Sequence, residues 1–390
     1  MNYQSALVAF ADPTQLWLEV SETAREKAWK QSQSFSTPSC RWNAYLNQSC
    51  LGTFLPWLRE EYAHEATPWP NNEALPSFWE VVNGTAITLG KTRLVLVPTE
   101  TIDLSELRVP QEWVDIPSWA GDYYLAAQVN PDDGWIRIWG YATHEQLKTS
   151  GRYDPGDRTY CLDEDDLIQD LNVLWVARQL GLEEPTRSVA QLPALPLAQT
   201  ENLLQRCSNP KEAFPRLAVP FEIWGALLEH GGWRQRLYEH RLGLPEQWSM
   251  LQWLKTGVSD LAQQVGWGCV ELQPNLAGAR GSQQTPVLPV LSRQLVIAGQ
   301  QYELRVLPQG DPEERIWRFE LRHTALGDRI PGGFKLRLLT EDLQAFENNE
   351  DMATTAVDVL YIEVALDVGE RLVWEIEPIP ENYDREILRF

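Results

Sequence analysis

A chain of 390 residues with 43% hydrophobic residues is long enough for two or three domains, and burial on folding removes about three-quarters of its unfolded surface from water. Its formal charge of −22 argues against nucleic acid and anionic membrane as partners, because Lys and Arg must displace the counterions of a polyphosphate. Five unevenly spaced cysteines argue against a disulfide framework and for a reducing, cytoplasmic setting, and no run approaches the roughly 18 apolar residues of a membrane span.

The opening MNYQSALVAFADPTQLWLEV lacks a basic leader region and carries Asp12 in its apolar part, so export is not expected. Ser21 before ETAREKAWKQS predicts a capped helix. A second helix is predicted over Ser39 to Tyr62, with Trp42, Tyr45, Leu46, Ser49 and Cys50 on neighbouring faces and Pro56 ending or kinking it. Asn83-Gly84, Gly90-Lys91 and Pro131-Asp132-Asp133-Gly134 mark hairpin turns between apolar runs. From Asp163 the pattern turns helical again, with Leu167, Ile168, Leu171, Leu174 and Trp175 on one face and Gly181 past its end.

Three prolines and little periodicity make 183–198 a linker. Residues 199–268 read as helical, and after Gly268 six short alternating runs separated by Gly, Pro, Asp and Asn read as antiparallel strands. The expected architecture is α+β and multi-domain: a mixed helix and hairpin domain over 1–182, the linker, the helical segment 199–268, and a β-sandwich-like domain over 269–390. The helical segment balances seven Lys and Arg against seven Asp and Glu while both flanks are acidic. A neutral layer of this kind either packs between domains or keeps a face free of repulsion for another protein.

Chemistry-bearing groups are scattered. Within the His and Cys sets the nearest neighbours are ten residues apart, a spacing that makes neither a metal site nor a catalytic pair. His230 and His240 each sit beside an acid but about three helical turns apart, and His144, His323, Cys161 and Cys207 read as structural. Asp163 to Asp166 lack the alternation and central Gly of a calcium loop, and suit a helix start with Asp163 as its N-cap. Gly278 to Ser282 superficially resembles a phosphate loop, yet it precedes strands and lacks the lysine. No nucleotide-binding, hydrolase-elbow or zinc-protease motif occurs, so no catalytic residue, metal or cofactor is assigned.

The strongest binding candidate is WRQRLYEHR, 233–241. It gathers Trp233, Arg234, Arg236 and Arg241, with Trp248 and Trp253 on the next helix, and Trp and Arg are the side chains that dominate interface hot spots. The competing reading pairs these arginines with acidic flanks, as structural ties.

The segments WNAYLNQSCLGTFLPWL, WIRIWGYAT, IPGGFKLRLLTED, VDVLYIEVAL, GERLVWEIEP and REILRF, in this order, resemble a cyanobacterial family catalogued as domain of unknown function 1822. The resemblance spans most of the chain and implies a cytoplasmic cyanobacterial protein with a regulatory leaning. It supplies no activity, cofactor or catalytic residue. The expectation is a non-enzymatic cytoplasmic interaction or regulatory protein that binds a protein partner and neither nucleic acid nor membrane. The alternative is a small-molecule sensor, or an enzyme, with its site at a domain junction.

Overall fold

The computed structural model describes residues 14–181, 188–212, 214–245, 247–272, 288–310, 315–325 and 327–390. The chain divides into two compact units between Leu244 and Pro245, each α+β. The boundary cuts through the helical segment expected at 199–268, so that segment is not a separate layer. Part of the expected linker and all of Gly278 to Ser282 lie outside the described residues.

In the first unit β1 (Leu16–Glu19) leads into α1 (Glu22–Ser32), whose first turn is capped by the Ser21 hydroxyl accepting from the Ala24 amide at 3.2 Å. Thr37 caps α2 (Pro38–Glu61) in the same way, through the Cys40 amide at 3.1 Å. Pro56, expected to end or kink this helix, does not end it, since the helix runs on to Glu61. A proline inside a helix costs about 3 kcal/mol, and Phe54, Leu55 and Leu58, all buried around it, anchor both halves and offset that cost.

Beyond β2 (Thr67–Trp69) a short helix α3 (Leu75–Trp79) occupies part of the run expected to form a hairpin arm. Asn83-Gly84 is therefore no hairpin turn but a crossing point. The Asn83 amide donates to the Pro98 carbonyl at 2.8 Å and accepts from Asn47 at 2.9 Å, while its backbone carbonyl accepts from the Trp113 indole at 2.9 Å. The other two turns do link strands: Gly90, with φ of 60°, joins β3 (Thr85–Leu89) to β4 (Thr92–Thr99), and 131–134 joins β6 (Tyr123–Asn130) to β7 (Trp135–Thr143).

The main sheet has the order β1-β7-β6-β4-β3-β2 and is antiparallel except for the pair β4 and β6. That parallel pair needs a crossover, supplied by β5 (Glu106–Pro110) and α4 (Glu112–Asp115). Leu94 to Val97 and Tyr123 to Val129 are buried nearly without a break, as befits strands covered on both faces. A small sheet of β5, β9 (Thr159–Asp163) and β8 (Arg152–Asp154) lies beside it, preceded by α5 (His144–Thr149).

The helix expected from Asp163 begins later. Glu164 to Asp166 form one 3-10 turn, Ile168 bridges to Tyr141, and Asp170 rather than Asp163 caps α6 (Leu171–Gln179), accepting from the Asn172 amide at 2.9 Å. The bridge holds Ile168 extended, and this delays the helix. Four helices complete the unit: α7 (Leu197–Cys207), α8 (Pro215–Ala218), α9 (Phe221–Glu229) and α10 (Gly231–Leu242).

The second unit opens with α11 (Met250–Thr256) and α12 (Asp260–Gln264). Its first sheet orders β10 (Trp267–Leu272), β11 (Leu288–Ile297), β12 (Gln300–Gln309), β13 (Ile316–His323) and β16 (Leu360–Ala365) side by side. A second sheet orders β15 (Glu350–Met352), β14 (Lys335–Thr340), β17 (Arg371–Glu377) and β18 (Ile387–Arg389). Every pairing is antiparallel, and one apolar cluster draws on both sheets, with Leu304 and Phe319 from the first and Leu338 and Trp374 from the second. Glu386 sits inside this core, accepting from the indoles of Trp267 and Trp374 at 2.9 and 3.2 Å and pairing with Arg293 at 3.2 Å. Burial nonetheless raises its carboxyl above the ordinary value, the nearby guanidinium offsetting only part of the desolvation.

Candidate functional site

Most of the partner-binding patch expected around 233–241 is buried, with Arg236 partly exposed. Trp233, Arg234 and Arg241 are buried, and Trp248 and Trp253 are buried in the core of the other unit. The arginines are satisfied by the protein itself, so each can leave water at tolerable cost. Arg234 lies over the Phe78 ring at 3.9 Å, donates to the Ser77 hydroxyl at 3.0 Å and to the Leu228 carbonyl at 2.8 Å. Arg241 pairs with Glu80 at 2.7 Å, both side chains being fully excluded from solvent, and donates to the Cys207 carbonyl at 2.9 Å. Arg236 pairs with Glu201 at 2.9 Å. Trp233 stacks on His230, whose Nδ1 caps α10 by accepting the Trp233 amide. These ties stand where the docking surface was expected.

What the first unit does hold is a cavity of about 530 Å³, walled by the start of α2, the segment 80–83, the end of β4, β5, and residues 214–216. Its geometry is set by a bulge between β6 and β7. Ala126 pairs with Gly140 and Ala127 with Ile138, which leaves Trp139 as the extra residue. Bulges bend a strand and re-aim its side chains, and both Trp139 and Ala126 line the cavity. Trp139 is 2% exposed, and its buried indole N–H has no hydrogen-bond partner among the described residues. A buried donor left unpaired costs about 1–3 kcal/mol.

The charged side chains of the wall are held rigidly. Glu80 accepts from the Ser36 amide at 3.2 Å and from the Ser36 hydroxyl as well as from Arg241. Arg108 engages three carboxylates, Glu106 at 2.5 Å, Asp154 at 2.8 Å and Asp157 at 2.7 Å, which raise its pKa above the ordinary guanidinium value. Arg216 clasps buried Glu112 with two bonds of 2.9 and 2.6 Å and donates to the Asp157 carbonyl at 2.6 Å, while the Trp224 indole donates to Glu112 at 2.9 Å. Four carboxylates, of Glu80, Asp103, Glu106 and Asp157, line the cavity against two guanidiniums, both committed to acids. Hydroxyls of Ser39, Thr99 and Thr101 add neutral donors and acceptors.

The thiol in the wall, Cys40, is disfavoured as a thiolate. Burial raises the Cys40 pKa first and the adjacent Glu80 charge raises it further, and the Sγ hydrogen is held by the Glu80 carbonyl at 3.2 Å. No histidine lines the cavity, and among the described residues no three His, Cys, Asp or Glu side chains gather as a metal site.

None of the cavity's charged residues was singled out from the sequence. The signal that existed was Gly140 inside an otherwise regular strand pattern, a common mark of a bulge. Glu80 and Arg216 carried none, since their ionic partners lie far along the chain, and Arg108 showed only Glu106 beside it, its other two acids being 46 and 49 residues away.

The described chain is thus two α+β units, the first with a cavity beside the bulged Trp139. The model of the family described as "Protein of unknown function (DUF1822)" matches residues 18–389, and the chain belongs to that family. No curated protein and no solved structure matches it. Among the described residues no helix is long and apolar enough to cross a membrane.

Proposed function

We propose that this is a small-molecule sensor, a non-enzymatic regulatory protein whose ligand occupies the cavity over Trp139. The observation that carries the reading is the unpaired indole donor of Trp139 in a cavity whose Glu80, Arg108 and Arg216 side chains are tied into ion pairs. The surplus of carboxylates disfavours anions, so the ligand is a compact neutral or cationic polar molecule with an acceptor for that N–H. In this reading the site is built from residues of the first unit. A cytoplasmic cyanobacterial setting, as the resemblance implies, and a sandwich-like second unit belong to the same proposal, as does a protein partner that reads the ligand-bound state.

The test is thermal unfolding in the presence of neutral and cationic metabolites. A ligand held by the native state alone stabilises it by about 2.7 kcal/mol at one hundred times its Kd. Trp139→Phe keeps the ring and removes the donor, and is expected to weaken binding about fivefold to tenfold, the effect of one hydrogen bond. A stabilising ligand that binds Trp139→Phe unchanged would place the site elsewhere.

A further inference from the structure

A second cavity of about 420 Å³ lies at the opposite charge extreme, beside the β3–β4 turn. Thr88, Lys91, Thr92 and Arg93 line it from the turn, Asp122 from the start of β6, and Ser188 from the segment before α7. Here two cations face one carboxylate, in a protein whose formal charge is −22.

Arg93 is the unusual member. Its guanidinium carbon lies 3.9 Å from the centre of the Trp69 ring, and Nη1 donates to the backbone carbonyls of Ser118 and Ala120 at 2.5 and 3.4 Å. Asp122 accepts from the Arg93 backbone amide at 2.7 Å. The guanidinium itself forms no ion pair with a described carboxylate, unlike Arg216, Arg241 and Arg293, whose acids stand 2.6 to 3.2 Å away. Its Nε is buried without a partner. The edge formed by Nε and Nη2, the fork that grips two oxygens of one anion, is thus unused. Desolvation lowers the Arg93 pKa to about 10, which leaves the group a full cation at neutral pH. A largely desolvated cation whose nearby acid, Asp122, favours its charge without bonding to the guanidinium keeps that edge available to an anion.

We propose that this cavity is a tetrahedral oxyanion site, binding phosphate or a phosphate monoester through the Nε–Nη2 edge of Arg93, with Lys91 as the second charge and the hydroxyls of Thr88, Thr92 and Ser188 as ancillary donors. The site is independent of the cavity over Trp139 in residues and in the charge of its ligand.

Calorimetric titration of the full chain with inorganic phosphate and with glycerol phosphate, at constant ionic strength and with chloride as control, tests it. Saturable binding is expected in wild type and is expected to weaken at least tenfold in Arg93→Gln, with Arg93→Lys failing to restore it because an ammonium lacks the fork. Lys91→Glu, at an exposed turn position where folding is not at stake, is expected to weaken binding at least tenfold as well. Equal affinity for the two probes identifies the free ion as sufficient, and preference for glycerol phosphate identifies a monoester. Absence of saturable binding by both, or binding that survives Lys91→Glu and Arg93→Gln alike, overturns the proposal. Trp139→Phe is expected to leave the oxyanion titration unchanged.

Discussion

Replacing Arg241 by Met removes the charge opposite Glu80 in its fully buried ion pair, and also the donor to the Cys207 carbonyl. Breaking a buried pair by deleting one partner costs about 3–5 kcal/mol, because the remaining charge has neither water nor counter-ion. Urea unfolding of the full chain, read by hydrogen exchange on peptides of the first unit, measures it. At a slope of about 3 kcal/mol/M, the midpoint of that unit falls by about 1 to 1.7 M. The companion Glu80→Met/Arg241→Met strands no charge, so it is expected to lie at least about 1.5 kcal/mol above the sum of the two single losses. The Ser36 hydroxyl and the Cys207 carbonyl still lose partners in the double variant, so recovery to wild type is not expected. A coupling within about 0.5 kcal/mol of zero, the scatter expected of independent sites, would refute the reasoning and reduce the pair to a coincidence of packing.

Other outcomes follow from the same coordinates. Gly84→Ala places a Cβ 2.5 Å from the Trp113 Nε1 at a φ of 116°, and should cost about 2 kcal/mol or more in the same unfolding experiment. Burial lowers the His144 pKa below its ordinary 6.5 while its Nε2 donates to the Val114 carbonyl at 3.1 Å. The stability this neutral imidazole contributes is present above pH 6.5 and lost as the unfolded chain takes up a proton below it, so His144→Gln should flatten the melting temperature between about pH 7 and 5. Four cysteines are buried, Cys50 with its pKa pushed up to about 12, and Cys269 is exposed; a disulfide reagent should titrate one thiol quickly in the native protein and all five in denaturant. Glu386→Leu leaves the Trp267 and Trp374 indoles and Arg293 without their shared acceptor, and should destabilise the second unit by about 3–5 kcal/mol.

Local grammar was readable where a single element decides it. Ser21 caps α1, Gly90 and Gly134 turn hairpins, and the alternation after Gly268 becomes antiparallel strands. Tertiary contacts override it elsewhere: Pro56 stays inside α2, where buried neighbours surround it, and Phe78 and Trp79, the first residues of the run before Asn83, close α3 instead of opening a strand. Arg234 and Arg241 looked like a surface because a sequence records charge and not counter-charge. The acid that buries Arg241 lies 161 residues away, and the one that clasps Arg216 lies 104 away. The cavity was invisible for the same reason, apart from the glycine beside Trp139, since its wall is assembled from segments with no common pattern.

The long-range ion pairs impose an order on synthesis. Glu80 and Glu112 leave the ribosome well before Arg216 and Arg241, and the carboxylates fated for the interior have no cation opposite them until α8 and α10 have been made. Until then the nascent sheet must keep those two acids in water, so it cannot close over them. Completion of the first unit thus waits on its last helices, and a chain truncated before Arg241 is expected to be captured by chaperones or degraded rather than to persist as a smaller native domain.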